Sequence, residues 1–292
     1  MILVTGATGV VGTALLPQLL GAGHQVRALV RDPRRLGPQR VNVQLALVDL
    51  GDPHGLRHAV RGCDTVIHLA AAIRDQPPRR VEEINGLGTL RLLRAAERAG
   101  AKRFLFFSAL GATEFQRTRF FRSKALAEEA VLDAGLDATV FAPSIVYDRD
   151  DPFVTIVRRL ALLPMLPISG EGRALYQPIW AQDVARAVLG WLDRDGDGRR
   201  RYELAGPEVL SHDDIARTIA WSAGRQRPLL HVPLPLVRSA LIWLRRLVGE
   251  NAFATWEEAE LMEISMTTPD ATSDAEALGV EPLAMREVLG GR

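Results

Sequence analysis

MILVTGATGVVGTALLPQLLGAGHQVRALVR, residues 1–31, reads as a strand, a glycine loop, a helix and a second strand, and the rest of the chain is organised around it. Ile2 to Thr5 is an apolar run that stops at Gly6, which is the pattern of a buried strand ending in a turn. Gly6 permits the tight turn, Gly9 lets backbone N–H groups come close to a phosphate, and Gly12 lets the next helix lie against the strand. That helix, about Val10 to Leu20 with Gly21 and Gly23 at its end, points its positive N-terminus at the loop, where an anion belongs. A bare glycine triplet also occurs in ordinary turns. Here a strand, a helix and a second strand (Gln25 to Val30) surround it as the nucleotide-binding motif requires.

The end of the second strand bears on which nucleotide. An NAD site usually places Asp or Glu there for the ribose 2′-hydroxyl, whereas this chain has Val30 and Arg31, with Arg34 and Arg35 close behind. A charge-assisted bond from arginine to a 2′-phosphate is worth about 1.5–3 kcal/mol, so NADP(H) is the preferred cofactor. Asp32 keeps NAD(H) open, and Arg34 and Arg35 also read as a solvated loop.

The 292 residues are 47% hydrophobic and 24% charged, the balance of a soluble globular protein large enough for one domain and a smaller lobe. No run approaches a transmembrane helix, and the first strand begins at residue 2 with no room for a signal peptide, so a cytoplasmic protein is expected. The single cysteine, Cys63, precludes an internal disulfide and a cysteine metal cluster; it reads as a buried small residue, and no metal site is expected. A net charge of +1 argues against nucleic acid, and Arg199 to Arg201 read as a solvated turn after Asp195 to Gly198. Of 36 basic residues only Lys102 and Lys124 are lysines.

Further along, strands are expected at Val43 to Val48, Asp64 to Leu69, Arg103 to Phe107 and Ala138 to Ala142, with helices at Pro53 to Arg61, Arg79 to Ala99 and Phe120 to Ala134. The strands are apolar throughout rather than alternating, as in sheets covered on both faces. The fold class is therefore α/β, a Rossmann-type doubly wound parallel sheet with a smaller, mostly helical C-terminal lobe. Asp49 and Leu50, after the third strand, would lie beside an adenine ring, and Ala70 to Ala72 let backbone pass close to a flat ligand.

Residues 1–150 are assigned to the nucleotide-binding domain, joined again by about 176–206. Residues 151–175 and 207–292 form the smaller lobe. In it Val154 to Leu163 reads as a helix, Leu163 to Pro167 as a turn and Ser169 to Gly172 as a polar loop. Asp183 reads as the N-cap of a helix to Leu192, Tyr202 to Ala205 as a late strand, and Ser211 to Ala223 as a capped helix. Leu234 to Val248, with Trp243, Arg238, Arg245 and Arg246, reads as a half-buried helix with its arginines in water. A helix of this kind also suits a membrane surface or a partner.

TGATGVVG at the start, Asn85-Gly86 with Gly88-Thr89 before LRLLRAAERAGAKRF, FFSALGA, FFRSKALAEEAV, FAPSIVYDRDD, QPIWAQDVARAV and YELAGPEVLSHDDIA resemble extended or atypical short-chain dehydrogenase/reductase proteins. The resemblance covers almost the whole chain. It is nearest to the NAD(P)H-binding accessory subunit family of respiratory complex I and its bacterial relatives. It implies cofactor contacts from Gly6, Thr8, Gly9, Val10, Val11, Gly12, Arg31, Asp49, Leu50, Leu69, Ala70, Ala71, Asn85, Lys124, Pro143 and Ile145.

Working enzymes of that superfamily use a Tyr-x-x-x-Lys pair, in which the tyrosine exchanges a proton with substrate and the lysine binds the nicotinamide ribose. The lysine is Lys124, and Phe120 stands four places before it. The assisting serine would fall near Ala109, with Ser108 one place earlier. Loss of a general acid commonly costs about 10²–10⁴ in rate, so the usual chemistry should be impaired or absent. Tyr147, one of three tyrosines, is the candidate for a replacement acid and otherwise lines the cleft. The functional expectation is a cofactor-binding structural, assembly or redox-reporting component. The alternative is an NADP-dependent reductase or epimerase with a non-standard proton donor. Expected partners are the nucleotide, a protein or membrane-associated complex met through the C-terminal lobe at the membrane periphery, and a second copy in a homodimer.

Overall fold

The computed structural model describes residues 1–76, 78–194, 200–248 and 255–290, the side chains of 244–248 excepted. β1 (Ile2–Thr5), α1 (Val10–Gly21), β2 (Val26–Val30), β3 (Gln44–Leu47), α2 (Pro53–Val60), β4 (Thr65–His68), α3 (Gly88–Ala99), β5 (Arg103–Phe107), α4 (Arg119–Leu132) and β6 (Asp137–Pro143) alternate along the chain. The chain then runs through β7 (Val146–Tyr147), α5 (Pro152–Leu160), β8 (Leu166–Ser169), β9 (Leu175–Tyr176) and β10 (Ile179–Trp180) before returning with α6 (Ala181–Leu192) and β11 (Arg201–Leu204). It ends in β12 (Leu210–Ser211), α7 (His212–Ser222), β13 (Leu229–Val232), α8 (Leu234–Val248), α9 (Trp256–Leu261), α10 (Ser273–Ala277) and α11 (Met285–Gly290).

Seven strands form one parallel sheet in the order β11-β6-β5-β4-β1-β2-β3. The order reverses direction at the β1–β4 junction, the switch point of a doubly wound sheet. Successive residues of a strand face opposite ways, and in β1, β2, β4, β5 and β6 both faces are largely buried, whereas the edge strand β3 is mostly exposed, with Leu45 and Leu47 43% and 64% exposed. Val4, Ala28, Ile67 and Leu105 pack under α1 and α6, with Leu15, Leu19, Val184 and Val188. Leu3, Leu29, Val66 and Phe104 pack under α2, α3 and α4, with Leu56, Leu92 and Val131. Strands that are apolar throughout are the sequence signature of this double cover.

The smaller lobe has its own core, in which Val154, Ile168, Tyr176, Ile215, Ile219 and Val288 meet. Three two-stranded sheets, β7-β10, β9-β12 and β8-β13, stand apart from the seven-stranded sheet. The residues read from sequence as a proline-bounded turn and polar loop in fact supply β8, paired in parallel with β13 through Leu166 and Leu229. Prolines at 164 and 167 suit an edge pairing of this length. The capped helix after Ser211 is α7, closed by a reciprocal box between Ser211 and Asp214.

Three further expectations are corrected. The helix over Arg79 to Ala99 starts at residue 81 and passes through a π-helical turn, Glu83–Leu87, before α3. Asp183 is not an N-cap: α6 begins two residues earlier, and the fully buried Asp183 carboxylate accepts from Leu283 N–H (2.9 Å) and pairs with Arg186. Arg201 is no solvated turn residue, since it opens β11 and pairs with Glu128 (2.6 Å) and Glu203. Asp195 to Arg199 lie outside the described residues.

α8 forms as expected. Its described residues are half-buried or exposed, with Leu236 and Trp243 61% and 62% exposed. Among the described residues no helix is long and apolar enough to cross a membrane.

Candidate nucleotide site

The carboxyl ends of β1, β2 and β3 frame a cavity of about 370 Å³. Its floor is the glycine loop. Gly6 has φ +72°, and a Cβ there would stand 2.6 Å from Ala70 N, so the loop meets the chain after β4 backbone to backbone. A Cβ on Gly12 would lie 2.3 Å from Gly6 O, which is why α1 can start so close to β1. Gly9 is the N-cap of α1 and no side chain caps the helix, leaving first-turn N–H groups available to an anion. Gly6, Thr8 and Gly9 line the cavity, while Val10 and Val11 pack against the core beneath.

The walls follow from the strand ends. Val30, Arg31 and Arg35 line one side, with Arg31 and Arg35 exposed. Arg34 does not line it. Its backbone N–H donates to Asp32 Oδ1 (3.0 Å), and Asp32 caps the short 3-10 segment Pro33–Val41 instead of facing the cavity. The wall is continued by Asp49 and Leu50 after β3, and by Leu69, Ala70 and Ala71 after β4. The set fits the adenosine half of a dinucleotide. It combines a glycine cradle with no space for side chains, apolar Leu50 and small alanines for a flat ring, and two guanidiniums for an anionic group.

Arg79 was missed by sequence reading because it lay in a stretch read as helix. Backbone bonds between Gln76 and Arg79 (2.9 and 2.8 Å) make a tight hairpin that carries Arg79 to Asp49 Oδ1 (2.8 Å), an oxygen that also accepts from Gly51 N–H (2.7 Å). The base of this strap is tied by Arg119, whose guanidinium bonds Asp75 (3.0 Å) and Glu82 (2.5 Å) and holds both carboxyls below their ordinary range.

Asn85 lies outside the cavity, in the π-helical turn. Its amide accepts from Ala72 N–H (2.8 Å) and donates to Ala72 O (2.9 Å) and Ser123 Oγ (3.1 Å). It therefore fixes the path of the chain leaving β4 and couples it to α4. A second buried chain of polar groups went unread in the sequence: Thr5 Oγ1 meets His68 Nδ1 (2.6 Å), His68 Nε2 meets Thr89 Oγ1 (2.9 Å), and Thr89 donates to Asn85 O (2.5 Å). Burial, helped by nearby Lys124, pushes the His68 pKa down to about 3, so the ring is neutral.

Lys124 is 3% exposed, which excludes a surface lysine. Its Nζ donates to Phe107 O (2.5 Å) and lies 4.7 Å from the Phe106 ring centre, and burial lowers its pKa to about 7. Phe120 packs among Ala109, Ala112, Phe121, Leu261, Ile264 and Met266. Ser108 Oγ and Tyr147 OH are buried and find no partner among the described residues.

Tyr147 does not line the cleft. It is 1% exposed in the core of the smaller lobe, and burial drives its pKa up, away from proton transfer near neutrality. Pro143 is buried, and Ile145 packs against that same core. The structure thus gathers the glycine-loop, Arg31, Asp49 and alanine positions around one cavity, while Lys124, Pro143 and Ile145 stand beyond it, past the switch point. Cys63 is buried as expected, and burial raises its pKa.

A family model described as NAD(P)H-binding matches residues 6–195. The chain is 30% identical over 249 residues to "NADH dehydrogenase [ubiquinone] 1 alpha subcomplex subunit 9, mitochondrial" of Arabidopsis thaliana. That match covers 81% of this chain and 61% of the relative, so the chain spans less than two thirds of that protein's length. It is 28% identical to the NAD(P)H azoreductase of Xenophilus azovorans, over 81% of this chain and 78% of the relative. The fold is also that of a Thermus thermophilus UDP-glucose 4-epimerase solved with NAD, with a TM-score of 0.73 at 20% identity, covering 99% of this chain and 97% of that one.

Proposed function

We propose, on the premise that this chain belongs to the NAD(P)H-binding family, that it holds NADP(H) in preference to NAD(H) without conventional dehydrogenase turnover, as a structural, assembly or redox-reporting component. The observation that carries this reading is the pairing of a complete glycine cradle and the cavity-lining Arg31 and Arg35 with a phenyl ring, Phe120, at the place of the usual proton donor. A phenyl ring neither donates nor accepts a proton, and Tyr147 is spent on the core of the smaller lobe.

In this reading Gly6, Thr8 and Gly9 with the first turn of α1 receive the pyrophosphate, and Arg31 and Arg35 receive the 2′-phosphate. Asp49, Leu50 and the chain at Leu69 to Ala71 hold the adenosine. Lys124, Asn85, Pro143 and Ile145 belong to the nicotinamide side, where the bound group would supply a hydride. Residues 1–150, rejoined by about 176–206, act as the nucleotide domain. The lobe made of 151–175 and 207–292 meets the partner, with α8 as its exposed apolar element at a protein surface or the membrane periphery.

The test is a side-by-side titration of nucleotide-free protein with NADPH and NADH, read by nicotinamide fluorescence. NADPH should bind at least about tenfold more tightly, and Arg31→Ala with Arg35→Ala should erase the difference. Equal affinities, or a preference that survives the double substitution, would sink the assignment. The second reading, an NADP-dependent reductase or epimerase with a non-standard proton donor, is favoured by the azoreductase among the relatives. Turnover in a screen of ketones, quinones, azo compounds and sugar nucleotides would establish it in place of the first.

A further inference from the structure

In a doubly wound sheet the second half of a dinucleotide passes the switch point to the carboxyl ends of the far strands, here β5 and β6. In this protein that ground is covered by its own chain. Residues 262–268, between α9 and α10, are pinned across it by a row of hydrogen bonds. Tyr176 OH donates to Met262 O (2.7 Å), Ser144 Oγ to Met266 O (2.6 Å), Met266 N–H to Leu175 O (2.8 Å) and Thr268 N–H to Gln177 Oε1 (2.7 Å). Ser144 and Gln177 are each only 2% exposed and bonded to one another, Gln177 N–H to Ser144 Oγ (3.1 Å), so the anchors are themselves fixed.

Two side chains of this segment point into the sheet edge. Ile264, 7% exposed, packs with Ala109 and Phe121, and Met266 reaches Leu110, Ala142 and Ala205 as well as the Phe120 cluster. Packing between lobes needs only apolar surface somewhere. Here it falls on the two positions where the resemblance to reductases places a serine and a tyrosine. A hydroxyl at position 109, where Ala109 is 5% exposed against Ile264, would cost about 1–3 kcal/mol if left unpaired there, and the half-buried Phe120 ring gives the segment an apolar seat. Ala109 and Phe120 suit the segment that lies on them, and the loss of the proton donor and the presence of the covering segment fit one design.

We propose that residues 262–268 are an internal cap that shields a nicotinamide held on the β5–β6 side from solvent and from outside acceptors, so that the protein keeps bound NADPH reduced. This rests on the nucleotide-binding reading above. The cap deepens it by giving the missing turnover a physical cause besides Phe120.

The test is acrylamide quenching of NADPH fluorescence, with the bimolecular quenching constant taken from lifetimes for free and protein-bound nucleotide. Binding should lower the constant about tenfold, and Ile264→Ala with Met266→Ala should return most of the loss while NADPH affinity changes little. Oxidation of bound NADPH by phenazine methosulfate should follow the same order, slow in the wild type and fast in the double variant. Ser144→Ala, which removes one anchor and no apolar bulk, should give an intermediate value and serves if the double variant does not fold. Bound NADPH quenched as readily as free, or protection unchanged in both variants, would overturn the cap alone. Failure of the wild type to bind NADPH would overturn the nucleotide reading and the cap's role with it.

Discussion

Lys124 shows how much one buried residue can report. Burial lowers its pKa from 10.5 to about 7, with Glu128 opposing. Between those values the unfolded chain holds a proton that the folded protein does not. Folding stability therefore rises with pH across that window, by up to about 1.4 kcal/mol per pH unit. Lys124→Met should be more stable than wild type at pH 7 and should lose this slope between pH 7 and 9 in denaturant unfolding. The same variant should weaken NADPH binding. An unchanged slope would mean that the ammonium is hydrated and not buried.

His68 adds an acid window. Its folded pKa of about 3 lies below the ordinary value of 6.5, so stability present above pH 6.5 is lost as pH falls toward 3. The denaturant midpoint at pH 5 should lie below that at pH 7. Lys124 could be singled out in the sequence because the chain otherwise uses arginine. His68 could not, since a histidine ending an apolar strand carries no local mark of the two threonines that bracket its ring.

At the scale of elements, the strands and helices of the first 150 residues were legible to within a few residues, because burial on both faces writes continuous apolar runs and the glycine loop fixes where they begin. What local pattern could not show was where distant chain would arrive. β8 is a strand because β13 pairs with it, Asp183 is buried because Leu283 bonds it, and Arg201 is held by Glu128 of α4. Asn85 is the sharpest case: its motif was visible, but its partners are the backbone of Ala72 and the hydroxyl of Ser123. Asn85→Ala would leave the buried Ala72 groups unpaired and should cost about 1–3 kcal/mol, read as a lower denaturant midpoint with the slope unchanged. Loss of NADPH affinity beyond what the stability change explains would show that the chain after β4 is a positioned wall of the site.

For the molecule as a whole, the two lobes are tied by more than their connections. Met266 bonds Ser144, Leu283 bonds Asp183, and Arg149 donates to Val288 O (3.0 Å). Thermal unfolding should therefore show a single transition. Nucleotide at about 100 times its dissociation constant adds about 2.7 kcal/mol, which for a chain of this size raises the midpoint by about 4 °C. NADPH should do so at concentrations where NADH gives a much smaller shift, and equal shifts would count against the arginine wall. The glycine loop, Arg31, Asp49, Leu50 and the chain at Leu69 to Ala71 in the cavity half were readable from sequence, the strap carrying Arg79 was not, and the covered half depends on chain more than a hundred residues away.

The π-helical turn at Glu83–Leu87 amounts to one residue more than a regular helix needs. Deleting Gly86, where a Cβ would meet nothing within 4 Å, removes that surplus without disturbing the apolar register of α3 downstream. The preceding turn would rotate by about 100°, swinging Asn85 off Ala72 while the helix itself became more regular. A single codon thus separates a more regular helix from one that anchors the chain after β4, and natural variation in length at this point would mark which of the two a lineage has kept.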